Sequence, residues 1–200
     1  MKYNVILVVM VAMGNGAGST WAGDINCPHV IFSRILPDKK GCLVISTDKS
    51  VRVLSPDCKL ILREFAVTSL GSKGAVDLSH DGQFLAVAED SGIAIWGVGS
   101  GKKTGRVSFR GDRLVSYVAF SRSGKYLAVV QSYPQTISSI VLPELVIIYD
   151  VASGKEQVCG LVGPSVVHIS FFSNDEKLLV SSSSRFSLFD IGDSFLKKHW

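Results

Sequence analysis

Charge of one sign is nowhere concentrated: 21 basic and 17 acidic side chains give a formal net charge of +4, with no block or tail of either sign. Surfaces that bind nucleic acid or other polyanions gather Lys and Arg on one face, so a polyanion partner is not expected. Signatures of assembled chemistry are missing as well. There is no Gly-x-Ser-x-Gly, no His-Glu-x-x-His and no Cys-x-x-Cys, which removes the common sequence routes to a serine hydrolase, a zinc protease or a thiolate metal site. The stretch Gly97 to Thr104, GVGSGKKT, comes nearest to a phosphate loop. It has one residue too few between Gly97 and Gly101, Lys103 intervenes before Thr104, and its setting is a hairpin with no helix after it, so a turn is expected. His29, His80, His168 and His199 lie far apart in the chain and predict no converging ligand set. No catalytic, cofactor-binding or metal-binding residue is assigned.

A long hydrophobic run is also lacking. Val5 to Met13 is the longest near the start, and as a helix it would reach only about 14 Å against a hydrocarbon core of roughly 30 Å. With Lys2 before it and Thr20 and Ala22 at the −3 and −1 places of a cut, residues 1–22 read as a secretory signal peptide, leaving no stable membrane span after cleavage. The expected location is outside the cytoplasm, periplasmic or extracellular. Four cysteines in an exported chain invite disulfides. Cys27 and Cys58, however, fall at opposite ends of a strand-sized unit, about 15 Å apart, and Cys42 reads as a small core residue, so no bridge is assigned.

What the chain does contain is a repeat. Ser79 to Lys102 reads as polar turn, apolar run (Phe84 to Ala88), polar turn, apolar run (Ile93 to Trp96) and Gly/Ser/Lys exit. The order returns at Ser121, 42 residues on, and at Ser173, 52 residues further, with a degenerate copy at Pro37, 42 residues before Ser79. A period near 42 with four short strands per copy predicts an all-β, propeller-like array of about four four-stranded antiparallel blades. The blades are expected near 30–66, 75–109, 114–162 and 166–200, within one domain over 23–200. Leu43, Leu85, Leu127 and Leu179 fall at one repeat position and are expected between blades. Gly41, Gly74, Gly82, Gly92, Gly124 and Gly154 fall at reversals and are expected to take positive φ.

These copies, with Trp96, Tyr149-Asp150 and Phe189-Asp190 closing their third strands, resemble the WD-repeat β-propellers from about Val30 onward. The Gly-His pair of that family is absent and Trp-Asp has become Trp-Gly, Tyr-Asp and Phe-Asp, so the family's hydrogen-bonded tetrad is not carried over. The resemblance implies a non-catalytic scaffold that contacts another protein. Four copies leave open a tight closed ring, an open arc that self-associates, or part of a larger propeller.

Candidate partner contacts come from the loops. Asp48 and Asp90 occupy one equivalent turn. Arg110 and Arg113 flank Asp112 between the second and third copies, and Arg185 is expected on the same face. Tyr133 lies in the one long insertion, Ser132 to Glu144. The rival reading is a lactonase-like or sugar-processing propeller enzyme, for which Asp77 and His168 are the only candidate inward-facing groups; a truncated fragment of a larger propeller is a third. The signal-peptide reading predicts that the chain recovered from a secreting host has the intact mass of residues 23–200. Recovery of the full 200-residue mass would contradict it.

Overall fold

Four stretches of the chain alternate apolar runs with Ser/Asp/Gly turns closely enough that each folds back on itself as an antiparallel meander. The computed structural model describes residues 30–37, 39–46, 50–67, 75–90, 92–108, 113–133, 142–191 and 197–199, and every regular element among them is a strand. The first sheet comprises β1 (Val30–Ile35), β2 (Cys42–Ser46), β3 (Val51–Leu54) and β4 (Ile61–Phe65). The second comprises β5 (Val76–Leu78), β6 (Phe84–Glu89), β7 (Gly92–Gly97) and β8 (Lys102–Ser108). The third comprises β9 (Leu114–Phe120), β10 (Tyr126–Ser132), β11 (Glu144–Asp150) and β12 (Glu156–Val162). The fourth comprises β13 (Val166–Phe172), β14 (Lys177–Ser182), β15 (Phe186–Asp190) and β16 (Lys197–His199). Each sheet has its strands in simple chain order, all antiparallel. Residues 1–22, expected to be a signal peptide, and Gly74 lie outside the described residues.

The chain divides into two compact units, Met1–Thr68 and Ser69–Trp200. In the first unit, Cys42, Val44, Leu54 and Cys58 pack together, which bears out Cys42 as a core residue. The exposed Arg52–Glu64 pair across β3 and β4 spans 3.0 Å and adds at most about 1 kcal/mol.

In the second unit, the period of two along each strand sends alternate residues to opposite faces, and both faces of the third sheet are used. Leu127, Val129, Ile147 and Tyr149 join Ala86, Ala88, Ile93 and Ile95 of the second sheet in one core. Their neighbours Ala128, Val130, Val146 and Ile148 join Ile169, Leu178, Val180 and Phe189 of the fourth in another. A strand buried on both faces must be apolar at successive positions, which is why β6 and β10 read FLAVAE and YLAVVQS. The first strands β5, β9 and β13 lie side by side, β9 in the middle. The fourth sheet is buried on one face: Phe172 and Phe186 are 42% and 74% exposed, and β14 alternates where β10 is continuous.

Two repeat equivalences differ from the sequence expectation. Backbone bonds from Val98, Val151 and Ile191 to the carbonyls of Gln83, Lys125 and Glu176 mark one position in three sheets. The residue before each is left-handed: Gly82, Gly124 and Asp175, with φ of 72°, 74° and 70°. In the first sheet Lys39 takes that place, with φ 58° and its N–H on the Leu36 carbonyl, so Gly41 is not the turn residue. Gly41 is needed for a different reason, since a Cβ there would stand 2.5 Å from the Leu54 carbonyl oxygen.

The tighter turns slide the pairing. Trp96, Tyr149 and Phe189 occupy one buried position, and their cross-strand partners are Leu85, Leu127 and Leu178. Leu178 rather than Leu179 therefore packs between sheets, while Leu179 is half-buried on the other face. In the first sheet Cys42, opposite Leu54, takes this place, although Leu43 is also fully buried. Leu178→Ala should cost about 2–5 kcal/mol in chemical denaturation, and Leu179→Ala about 1 kcal/mol or less. Equal losses would contradict the register.

Candidate interaction site

Strands β10 and β11 run beyond their apolar cores into the ends of the long insertion, so Ser132 and Glu144 are strand residues and buried. This extension depends on a bulge. Val130 pairs with Tyr117 and Gln131 with Val115, leaving Ser116 as the extra residue, its hydroxyl donating to the Val130 carbonyl at 3.2 Å. Bulges re-aim the side chains that follow them. Val115 belongs to the core shared with the second sheet, and alternation from it places Arg113, Gln131 and Tyr133 on that same face.

Arg113 and Tyr133, singled out separately in the sequence, meet here. The guanidinium carbon stands 4.0 Å from the Tyr133 ring centroid, and Nη2 donates to the Tyr133 hydroxyl. Such a stack contributes about 0.5–2 kcal/mol and fixes the guanidinium plane. The remaining Nη1 is buried and has no hydrogen-bond partner among the described residues. Neither has Nε2 of Gln131, a residue only 2% exposed. A buried donor left unmade costs about 1–3 kcal/mol, and this end of the sheet bears that cost at two residues. Sequence reading missed Gln131 because it ends an apolar run and looked like the start of a loop.

The opposite face holds Ser132 and Glu144, whose carboxylate accepts from the Val166 N–H at 2.8 Å. Arg185, exposed before β15, covers Gly163, where a Cβ would stand 2.9 Å from its Nε. It thus lies on the fourth-sheet side, and its backbone N–H donates to the Ser182 hydroxyl at 3.2 Å. Asp90 is exposed in the turn between β6 and β7. Asp48 and Arg110 lie outside the described residues. The structure therefore joins Arg113 to Tyr133, places Arg185 beside Gly163, and adds Gln131.

Carboxylates also tie sheet to sheet. Asp77 on β5 accepts from the Phe120 N–H of β9 at 2.7 Å. Asp175, in the turn before β14, accepts from the N–H groups of Arg122 and Ser123 at 2.8 and 3.0 Å. Its sequence signal was faint: an Asp inside a turn, where Asp is common for local reasons. His168 is exposed on β13 and His80 in a turn. The Gly97–Thr104 stretch is the β7–β8 hairpin, with the Gly101 N–H on the Gly97 carbonyl. Among the described residues no three His, Cys, Asp or Glu side chains are grouped to hold a metal ion, and no helix is long and apolar enough to cross a membrane.

No family model and no curated protein matches this chain. Among solved structures, hydrazine synthase of Kuenenia stuttgartiensis is similar, with a TM-score of 0.64 and 18% sequence identity, covering 83% of this chain and 52% of that one. At this identity the likeness is one of fold. This chain spans about half the length of that neighbour.

Burial pushes the Asp175 carboxyl up, but hydrogen bonds from the Ser123 side chain and backbone, the Ser121 hydroxyl and the Arg122 N–H outweigh it and hold the group below its ordinary value of 3.8. The stabilisation is therefore complete above the ordinary carboxylate range and is lost as pH falls through the lower, folded value. Asp175→Asn keeps the left-handed backbone tolerable and removes one acceptor and the charge. It should cost about 1–3 kcal/mol at neutral pH, with the gap to the parent closing below pH 3.8. A gap that stays constant with pH would contradict the assignment.

Proposed function

We propose that this chain is an exported, WD-repeat-like β-propeller domain that acts as a non-catalytic scaffold and contacts another protein through the loop end of its third sheet. The architecture supports the propeller reading. Three four-stranded meanders stack face to face with β5, β9 and β13 adjacent, and repeated meanders stacked with their first strands together are the building plan of that fold. The observation that carries the interaction reading is the Arg113–Tyr133 stack, mounted on rigid strands where the insertion leaves the sheet. Arg and Tyr are the residue types over-represented where interfaces hold their energy. Asp77, one of two candidate groups for the rival enzyme reading, spends its carboxylate on the Phe120 N–H.

A second reading, membership of a larger or self-associated array, is favoured by the exposed Phe172 and Phe186 on the outer face of the fourth sheet, since propeller sheets ordinarily cover such faces with a neighbour. Light scattering on the purified chain distinguishes a monomer from an assembly. For the interaction itself, a photo-crosslinking residue at Leu142, exposed at the insertion end of the same sheet, should capture a discrete polypeptide in the native host. The same residue at Lys155, in the turn at the other end of the sheet, should not. Equal capture at both positions, or none at either, would overturn the assignment of this end as the contact.

A further inference from the structure

We propose that the contact surface continues from the third sheet onto the fourth as one apolar rim, formed by Tyr133, Leu142, Leu161, Val167 and Phe186, and that its occupant is a different, folded protein with an apolar face free of cations; this deepens the interaction reading above and rests on it. Six large apolar side chains are exposed among the described residues of the second unit, and these five share one end of it, with Phe172 at the other. Strand pairing puts Leu161 in the row Gln131, Leu145, Leu161 of the third sheet and Phe186 in the row His168, Ser181, Phe186 of the fourth. The two rows are tied together at this end. The Glu144 carboxylate accepts from the Val166 N–H at 2.8 Å, the Ser183 N–H donates to the Ser165 carbonyl at 3.1 Å, and Arg185 lies against Gly163.

The size of the rim points to a folded partner. Side chains between 43% and 74% exposed add up to on the order of 500 Å² of apolar surface, within the range of patches that mark function. At the usual apolar share of an interface, roughly 60%, that corresponds to about 800 Å² on this side, the standard size for a stable complex. Charge disfavours a second copy. Arg113 and Arg185 are the cations at this end of the two sheets, and the carboxylate there among the described residues, Glu144, is buried, so two copies meeting end to end would set cation against cation. A bilayer fits poorly too. Exposed Ser165, Ser183 and Ser184 form the tips of the connections, while Leu161 lies on the side toward the second sheet and Phe186 on the outer side of the fourth. A flat surface would meet the serines before it could bury both apolar side chains, whereas a protein face shaped around them reaches both.

The test uses the whole chain in the native host, with the photo-crosslinking residue at Leu142, and reads how the captured band responds to changes elsewhere on the rim. Phe186→Ser combined with Leu161→Thr should reduce capture at least tenfold and leave Tm unchanged, since both side chains are more than half exposed. Phe172→Ser, at the other end of the fourth sheet, should leave capture as in the parent. A crosslinker at Val167, the extra residue of the β13 bulge, should capture a band of the same mass, and this readout holds whatever the double variant does to folding. Light scattering and sedimentation with vesicles of phosphatidylcholine and phosphatidylglycerol complete the set on the purified chain. A dimer that the double variant dissociates would make the occupant a second copy, and vesicle binding that it abolishes would make the occupant a membrane; either result overturns the proposal. Capture at Leu142 that the double variant leaves intact, with none at Val167, also overturns it, and then the interaction reading stands and only its extension to the fourth sheet falls. No capture at Leu142 defeats both.

Discussion

A middle strand squeezed between two neighbouring sheets has no face left for water, and this constraint governs the second unit of the protein. Strand β10 sends Leu127 and Val129 into one core and Ala128 and Val130 into the other. Each large side chain removed from water contributes about 1.5–3 kcal/mol, and the strand can collect that on both faces only if successive residues are apolar. Sheets arranged this way cannot satisfy every backbone group through their own ladders. At the first strands and turns, N–H groups face a neighbouring sheet rather than water, and Asp77, Glu144 and Asp175 supply the acceptors. Apolar faces hold the sheets together, and the carboxylates fix how they are placed.

Much of the fold was legible because it rests on composition at short range. The apolar runs LVI, FLAVA, YLAVV and LLV became β2, β6, β10 and β14, and Trp96, Tyr149 and Phe189 share one buried position, as their common place before the exit turn suggested. Ser79 and Ser121 open their copies for a local reason. Each hydroxyl accepts the N–H five residues on, from Phe84 at 2.9 Å and Tyr126 at 3.1 Å, which pins the turn to the strand that follows. What could not be read was the phase of the first and fourth copies. A glycine is the usual sign of a left-handed turn residue, but Lys39 and Asp175 fill that position there, and aligning on Gly41 or on the Leu178-Leu179 pair displaces the register.

The site was legible by halves for a related reason. Arg113 and Tyr133 stood out as polar and aromatic residues at loop boundaries, where scaffolds place recognition. Their contact, and the addition of Gln131, follow from the bulge at Ser116, which one sequence does not announce. Glu144 carried a weak signal as the one charged residue heading the apolar run of β11, ELVIIYD.

The inter-sheet carboxylate bonds are the most direct expression of this account, and native-state hydrogen exchange reads them one amide at a time. Arg122 and Ser123 sit in a turn with exposed side chains, where free amides exchange quickly. If Asp175 of the next sheet holds them, their N–H groups will be protected to the same extent as those of Leu127 to Val130 and will open only with the whole unit. Exchange of these two amides at the rate of an unstructured turn, beside a protected β10, would contradict the stacking of the sheets.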